Sequence, residues 1–167
     1  LKRLKRLIEI CDYSQVNRSL LLAILLIDDK DTHEYFSHKY NISNEIKDNL
    51  KSFAKYLKLI RENKDFFNKD LEKNIYLFDK NFLINLNILN FVIHPKLKYK
   101  DFSETLKKIL KSKTYKLSID GKYLIKNGMR QGSSVGKVLK AIEEEWIKNN
   151  FQISKKRVKE IIQIHSN

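Results

Sequence analysis

The chain has 167 residues, 42% of them apolar, and 34 Lys and Arg against 20 Asp and Glu give a formal charge of +14. Its apolar and aromatic content excludes disorder, which arises where too little apolar surface offsets the entropy of ordering the chain; at about 100–200 residues per domain the length fits one globular unit or two small subdomains. The longest apolar run, Leu20–Ile27, has eight residues, far short of the roughly 20 that cross a bilayer, so no membrane span or signal peptide is expected.

Leu4, Leu7, Ile8 and Cys11 repeat at helical spacing, and Val16 to Ile27 reads as a mostly buried helix stopped by Asp28 and Asp29. Asp31 and Glu34 have capping-box spacing for a short helix through Tyr40. Ser43 is placed to cap the clearest helix of the first half, with Ile46, Leu50, Phe53, Ala54, Leu57 and Ile60 on one face. A weaker helix is expected over 66–78. Phe82 to Ile93 is apolar nearly all round, and its length favours a central helix over a buried strand.

Pro95 and the lysine run Lys96 to Lys100 mark an expected hinge, dividing the chain into a helical subdomain at 1–95 and a basic helical subdomain at 96–167. The charge follows that division: 16 basic and 13 acidic residues precede it, and 18 and 7 follow it. A strongly basic segment attracts a polyanion, nucleic acid ahead of a membrane or an acidic protein, although a lysine-rich solvated surface has the same composition. Beyond the hinge, Asp101 with Glu104 reads as the start of a helix through Leu110, and Thr114 to Asp120 as extended. Lys122 to Asn127 reads as a short helix, and a longer one follows the turn at Met129 to Ser133. Val135, Val138, Leu139, Ile142 and Trp146 form its stripe, and Ser154 begins the last helix. The fold class is therefore all-α, a multi-helix bundle of two helical subdomains.

All four glycines, Gly121, Gly128, Gly132 and Gly136, fall within 16 residues. Small residues at the head of a helix let backbone amides approach an anion at the positive end of the helix dipole. Lys122, Lys126, Arg130 and Lys137 surround that turn, so these four cations with Gly132, Ser133 and Ser134 form a candidate phosphate-binding group for nucleic acid. The same spacing fits a purely structural role, with Gly128 as a helix C-cap, Ser133 or Ser134 as an N-cap and Gly136 at a close helix contact.

Other candidates are weaker. Asp29 and Asp31 have the alternate spacing of a metal pair, but they follow a helix and precede a cap, which favours a helix stop. His33 and His38 are five apart and fall on different helix faces, against a zinc pair, while His94 and His165 lie at element ends. Glu143 to Glu145 reads as a solvated face balancing nearby lysines. Cys11, the single cysteine, sits on an apolar stripe as an inert thiol, cannot form an intramolecular disulfide, and points to a cytoplasmic location. No catalytic or metal-binding residue is assigned.

Gly121 with Leu124 and Ile125, Gly128, the run Gly132-Ser-Ser-Val-Gly136-Lys-Val-Leu139, and Ile142 to Trp146 resemble the C-terminal signature of the CCA-adding tRNA nucleotidyltransferase and poly(A) polymerase family. Arg18 with Leu20 to Leu26, and Tyr40 to Asn44, resemble earlier elements of the same family. Lys122 and Tyr123 stand where the family often has an acidic residue, and Gln131-Gly132-Ser133 replaces its Pro-Gly-Pro turn. The resemblance implies a helical neck, body and tail that grip tRNA. It also implies a catalytic head, with magnesium and nucleotide, carried in cis or on a separate subunit. No glycine precedes Gly121, so the Gly-Ser loop of such a head is not in this sequence, and the chain alone is expected to transfer no nucleotide and to hold no cofactor. The alternative is a helical protein-interaction module or relic fragment without RNA binding, with Leu1, Leu4 and Leu7 exposing an apolar face.

Overall fold

A computed structural model describes residues 2–11, 16–28 and 30–166. Among them ten α-helices and no strand occur, and the chain divides into two compact units, Leu1–Lys113 and Thr114–Asn167. Among the described residues no helix is long and apolar enough to cross a membrane.

The first unit is built around α6 (Lys80–Ile93), whose Leu83, Leu86, Leu89, Phe91 and Val92 are buried. A helix apolar on every side needs neighbours on every side. They are α1 (Lys2–Ile8), α2 (Arg18–Leu26), α4 (Asn44–Glu62), α5 (Leu71–Phe78) and α7 (Tyr99–Lys111), while α3 (Thr32–Lys39) packs on α2 and α4. The predicted face of α4 is the one that packs: Leu50, Phe53 and Leu57 are buried, and Ile46, Ala54 and Ile60 are partly buried beside them. Leu7 is fully buried and Leu4 packs on the same core, so these two do not form the exposed face expected of them; Leu1 lies outside the described residues.

Arg6 ties the ends of this unit together. Its guanidinium donates to the carbonyls of Phe91 (2.8 Å), His94 (3.2 Å) and Leu97 (2.9 Å) and lies 4.0 Å over the Phe91 ring. The last carbonyls of a helix have no intrahelical partner, and here an arginine from α1 supplies one to the end of α6. Asn87, buried, donates to the Phe102 carbonyl at 3.1 Å and fixes α7 against α6. With Phe102 and Ile109 buried in the first core, α7 belongs to the first unit. The division thus falls after Lys113 and not at the Pro95 turn, and the lysines of 96–113 go with the first unit.

Local capping departs from the sequence reading at α3, α5 and α7; α7 starts at Tyr99, and Asp101 accepts from the Lys98 amide at 3.0 Å from within its first turn. Asp31 takes φ 54° and makes no capping bond to α3; Asp28 caps it instead, accepting from the Thr32 amide (3.1 Å) and hydroxyl (2.6 Å). Those bonds hold the Asp28 carboxyl below its ordinary value. The helix expected from residue 66 begins only at Leu71, because the Asn63 side chain accepts from the Asp65 amide and the Asn74 side chain donates to the Phe66 carbonyl, which offers the chain an alternative to helix. Ser43 does accept from the Ile46 amide, at 3.4 Å.

The second unit comprises α8 (Gly121–Lys126), α9 (Ser134–Lys148) and α10 (Lys155–Ser166), with α9 packed on both others. Its core is Leu124, Met129, Val138, Ile142, Val158, Ile161 and Ile162. Beside it, Tyr115 stacks on Phe151 at 3.9 Å and Trp146 meets Phe151 edge-on at 4.9 Å. Phe151 adopts φ 62°, a left-handed conformation costly for a bulky residue; the ring stack offsets that cost.

Candidate nucleic-acid interface

The glycine segment connects α8 to α9. Asp120 accepts from the Tyr123 amide at 2.8 Å and starts α8. Gly128, at φ 100°, ends it: its own amide donates to Ile125, and the Met129 amide reaches back to Leu124, each at 3.1 Å. That is the six-to-one bond of a glycine-terminated helix. Met129 then turns inward, 4% exposed, and anchors the loop on the core.

The structural alternatives for the remaining small residues are only partly realised. Ser133 makes no side-chain bond into α9, and a Cβ placed on Gly136 would meet nothing within 4 Å. The close approach occurs at Gly121, where a Cβ would lie 3.3 Å from Val135 Cγ1. Gly121 therefore lets α8 lie against α9, while Gly136 faces open space. The head of α9 is left without a side-chain cap.

The seven predicted residues are all exposed. Lys122 and Lys126 stand one helical turn apart on α8, Arg130 lies in the connecting turn, Gly132 and Ser133 lead into α9, and Ser134 and Lys137 are in its first turn. The packing of α8 on α9 brings these elements into one unit. None of Lys122, Lys126, Arg130 and Lys137 forms an ion pair among the described residues. An exposed lysine or arginine without a carboxylate partner keeps its full charge for a polyanion.

A different basic residue is already committed. Arg157 grips Glu145 through two bonds, Nε to Oε1 at 2.7 Å and Nη2 to Oε2 at 2.9 Å, and also donates to Glu160 at 3.1 Å. This fork clips α10 to α9, holds the Glu145 carboxyl below its ordinary range and raises the Arg157 guanidinium further. Glu145 is therefore paired with an arginine twelve positions on, in addition to lying on a helix face. Sequence spacing carries no signal for that pair, since it depends on the turn between the helices.

The second unit holds 11 basic and five acidic residues. Among the described residues no group of three or more metal-ligating side chains occurs; Asp29 of the Asp29 and Asp31 pair lies outside them. Comparison with family models, with curated proteins and with solved structures gave no match.

Proposed function

We infer that this chain is the tRNA-binding helical C-terminal portion of a CCA-adding tRNA nucleotidyltransferase or poly(A) polymerase family protein, and that it works with a catalytic head carried in cis or in trans. One observation carries the reading. Lys122, Lys126, Arg130 and Lys137 are exposed and without carboxylate partners around an α9 head that no side chain caps. Phosphates of the RNA backbone would take these cations and the first amides of α9, a geometry that grips without reading sequence. The order of small residues and helices through this segment is the one from which the family resemblance arises. Magnesium and nucleotide enter only with the head; the chain alone transfers no nucleotide to tRNA lacking its terminal residues.

The test is the salt dependence of tRNA affinity. Each phosphate contact contributes roughly 0.7–0.9 log units of affinity per log unit of salt. Lys126, Arg130 and Lys137 changed together to Ala should therefore lower the slope by about 2–3. Equal slopes for parent and triple variant would leave the glycine turn with a structural role alone.

A further inference from the structure

Three of the four glycines are explained by the chain's own fold, and the fourth is not. Gly121 makes room for Val135, and Gly128 and Gly132 take φ values of 100° and 159° that residues with a side chain rarely adopt. Gly136 lies within α9, is exposed, and a Cβ placed on it would meet nothing within 4 Å. In a helix, glycine is disfavoured against alanine by a factor of about two to five, because it has more backbone freedom to lose on folding. Among the described residues nothing offsets that cost. Glycine is also the residue that lets a partner approach the main chain most closely, and the bare helix at Gly136 leaves that approach open.

The neighbouring side chains indicate which partner fits. Val138 and Ile142 are buried in the core and Val135 and Leu139 pack on it, which leaves Gly136, Lys137 and Lys140 on the outer side of α9. Lys137 and Lys140 are three apart and Gly136 and Lys140 four apart, so Lys140 adjoins both on the helix surface. Both lysines are exposed and form no ion pair among the described residues. One turn further on, Glu143 and Glu144 make the helix acidic. A polyanion is therefore favoured over the first two turns of α9 and repelled beyond them, so it crosses the helix and does not run along it.

We propose that an RNA strand crosses α9 at Gly136, its sugar–phosphate backbone resting on the bare helix beside Lys137 and Lys140. This crossing rests on the RNA reading of the second unit and adds to it a steric requirement and a further cation, Lys140.

The test uses the full chain and tRNA. Gly136→Ala and Gly136→Gln each place a good helix former at an exposed helical position, so amide protection of α9 should hold or rise, by up to about fivefold for Ala. Affinity for tRNA should nevertheless fall, severalfold for Ala and by about tenfold or more for Gln, as added atoms push the strand off the helix. The salt slope should stay that of the parent in both, because no cation is lost. Lys140→Gln should lower the slope by roughly 0.7–0.9, whereas Lys148→Gln, beyond the glutamates, should leave it unchanged. Parent-like affinity in both Gly136 variants, a loss of affinity accompanied by lost α9 protection, or a slope as low for Lys148→Gln as for Lys140→Gln would overturn the crossing. A parent chain whose binding to tRNA shows no salt dependence would instead sink the RNA reading itself, and the crossing with it.

Discussion

Ile142 is fully buried at the centre of the second unit's core, one of seven buried apolar residues. Truncation to Ala removes its methyl and methylene groups and leaves a cavity in that core, at a cost of about 2–5 kcal/mol. The unit spans Thr114–Asn167, and at roughly 0.05–0.15 kcal/mol per residue its whole stability is about 3–8 kcal/mol. A loss near the middle of the first range, about 3 kcal/mol, multiplies the open population by roughly 150. Hydrogen exchange of the full chain should therefore show peptides from 114–167 losing about two orders of magnitude in protection, while peptides from α2, α4 and α6 keep theirs, because those draw on a separate core. Protection of 114–167 within a few-fold of the parent would refute the assignment of Ile142 to an irreplaceable packing position. Equal losses in α6 would refute the separateness of the two cores.

Arg6→Ala strips the carbonyls of Phe91, His94 and Leu97 of their charged donor and should destabilise the first unit by about 2–3 kcal/mol, read as a lower denaturation midpoint; Arg6→Lys should recover only part, since an ammonium lacks the planar fork. Acid should unclip α10 from α9. The Glu145 carboxyl lies below its ordinary 4.5 in the folded chain, so its contribution is complete above that value and disappears as pH falls through the lower folded one; α10 amide protection should drop there in the parent, and Glu145→Gln should show the loss already at neutral pH.

What the sequence made legible follows from periodicity and length. The α4 stripe and the stripe of α9 needed only helical spacing, and α6 needed only its apolar run with the length to choose helix. Gly128 was readable because a left-handed residue after a short helix has few alternatives to glycine. The failures at helix starts share a cause, which is competition among nearby polar side chains. Asp31 and Asp28 both had the chemistry of a cap, and the winner was decided by where the chain leaves α2. The start of α5 was lost to Asn63 and Asn74, whose side chains satisfy turns before a helix can nucleate. The boundary at Pro95 was overridden by Phe102 and Ile109, because a proline turn says nothing about which core the next helix joins. In the candidate site, the cations were found by charge alone, whereas the Arg157 fork depends on residues brought together from separate helices.

The absence of glycine from the first 120 residues has a consequence for the unfolded chain. Where other chains turn on glycine, this one places Asp31, Asn41 and Asp79 at positive φ, residue types that tolerate such backbone better than most. Each denies the unfolded ensemble the extra freedom a glycine would add, an effect of about 0.4–1 kcal/mol per position, but at a positive φ the strain of a side chain in the folded state exceeds that gain. Glycine at any of the three should therefore relieve strain in the folded unit while loosening its unfolded chain, the relief being the larger of the two.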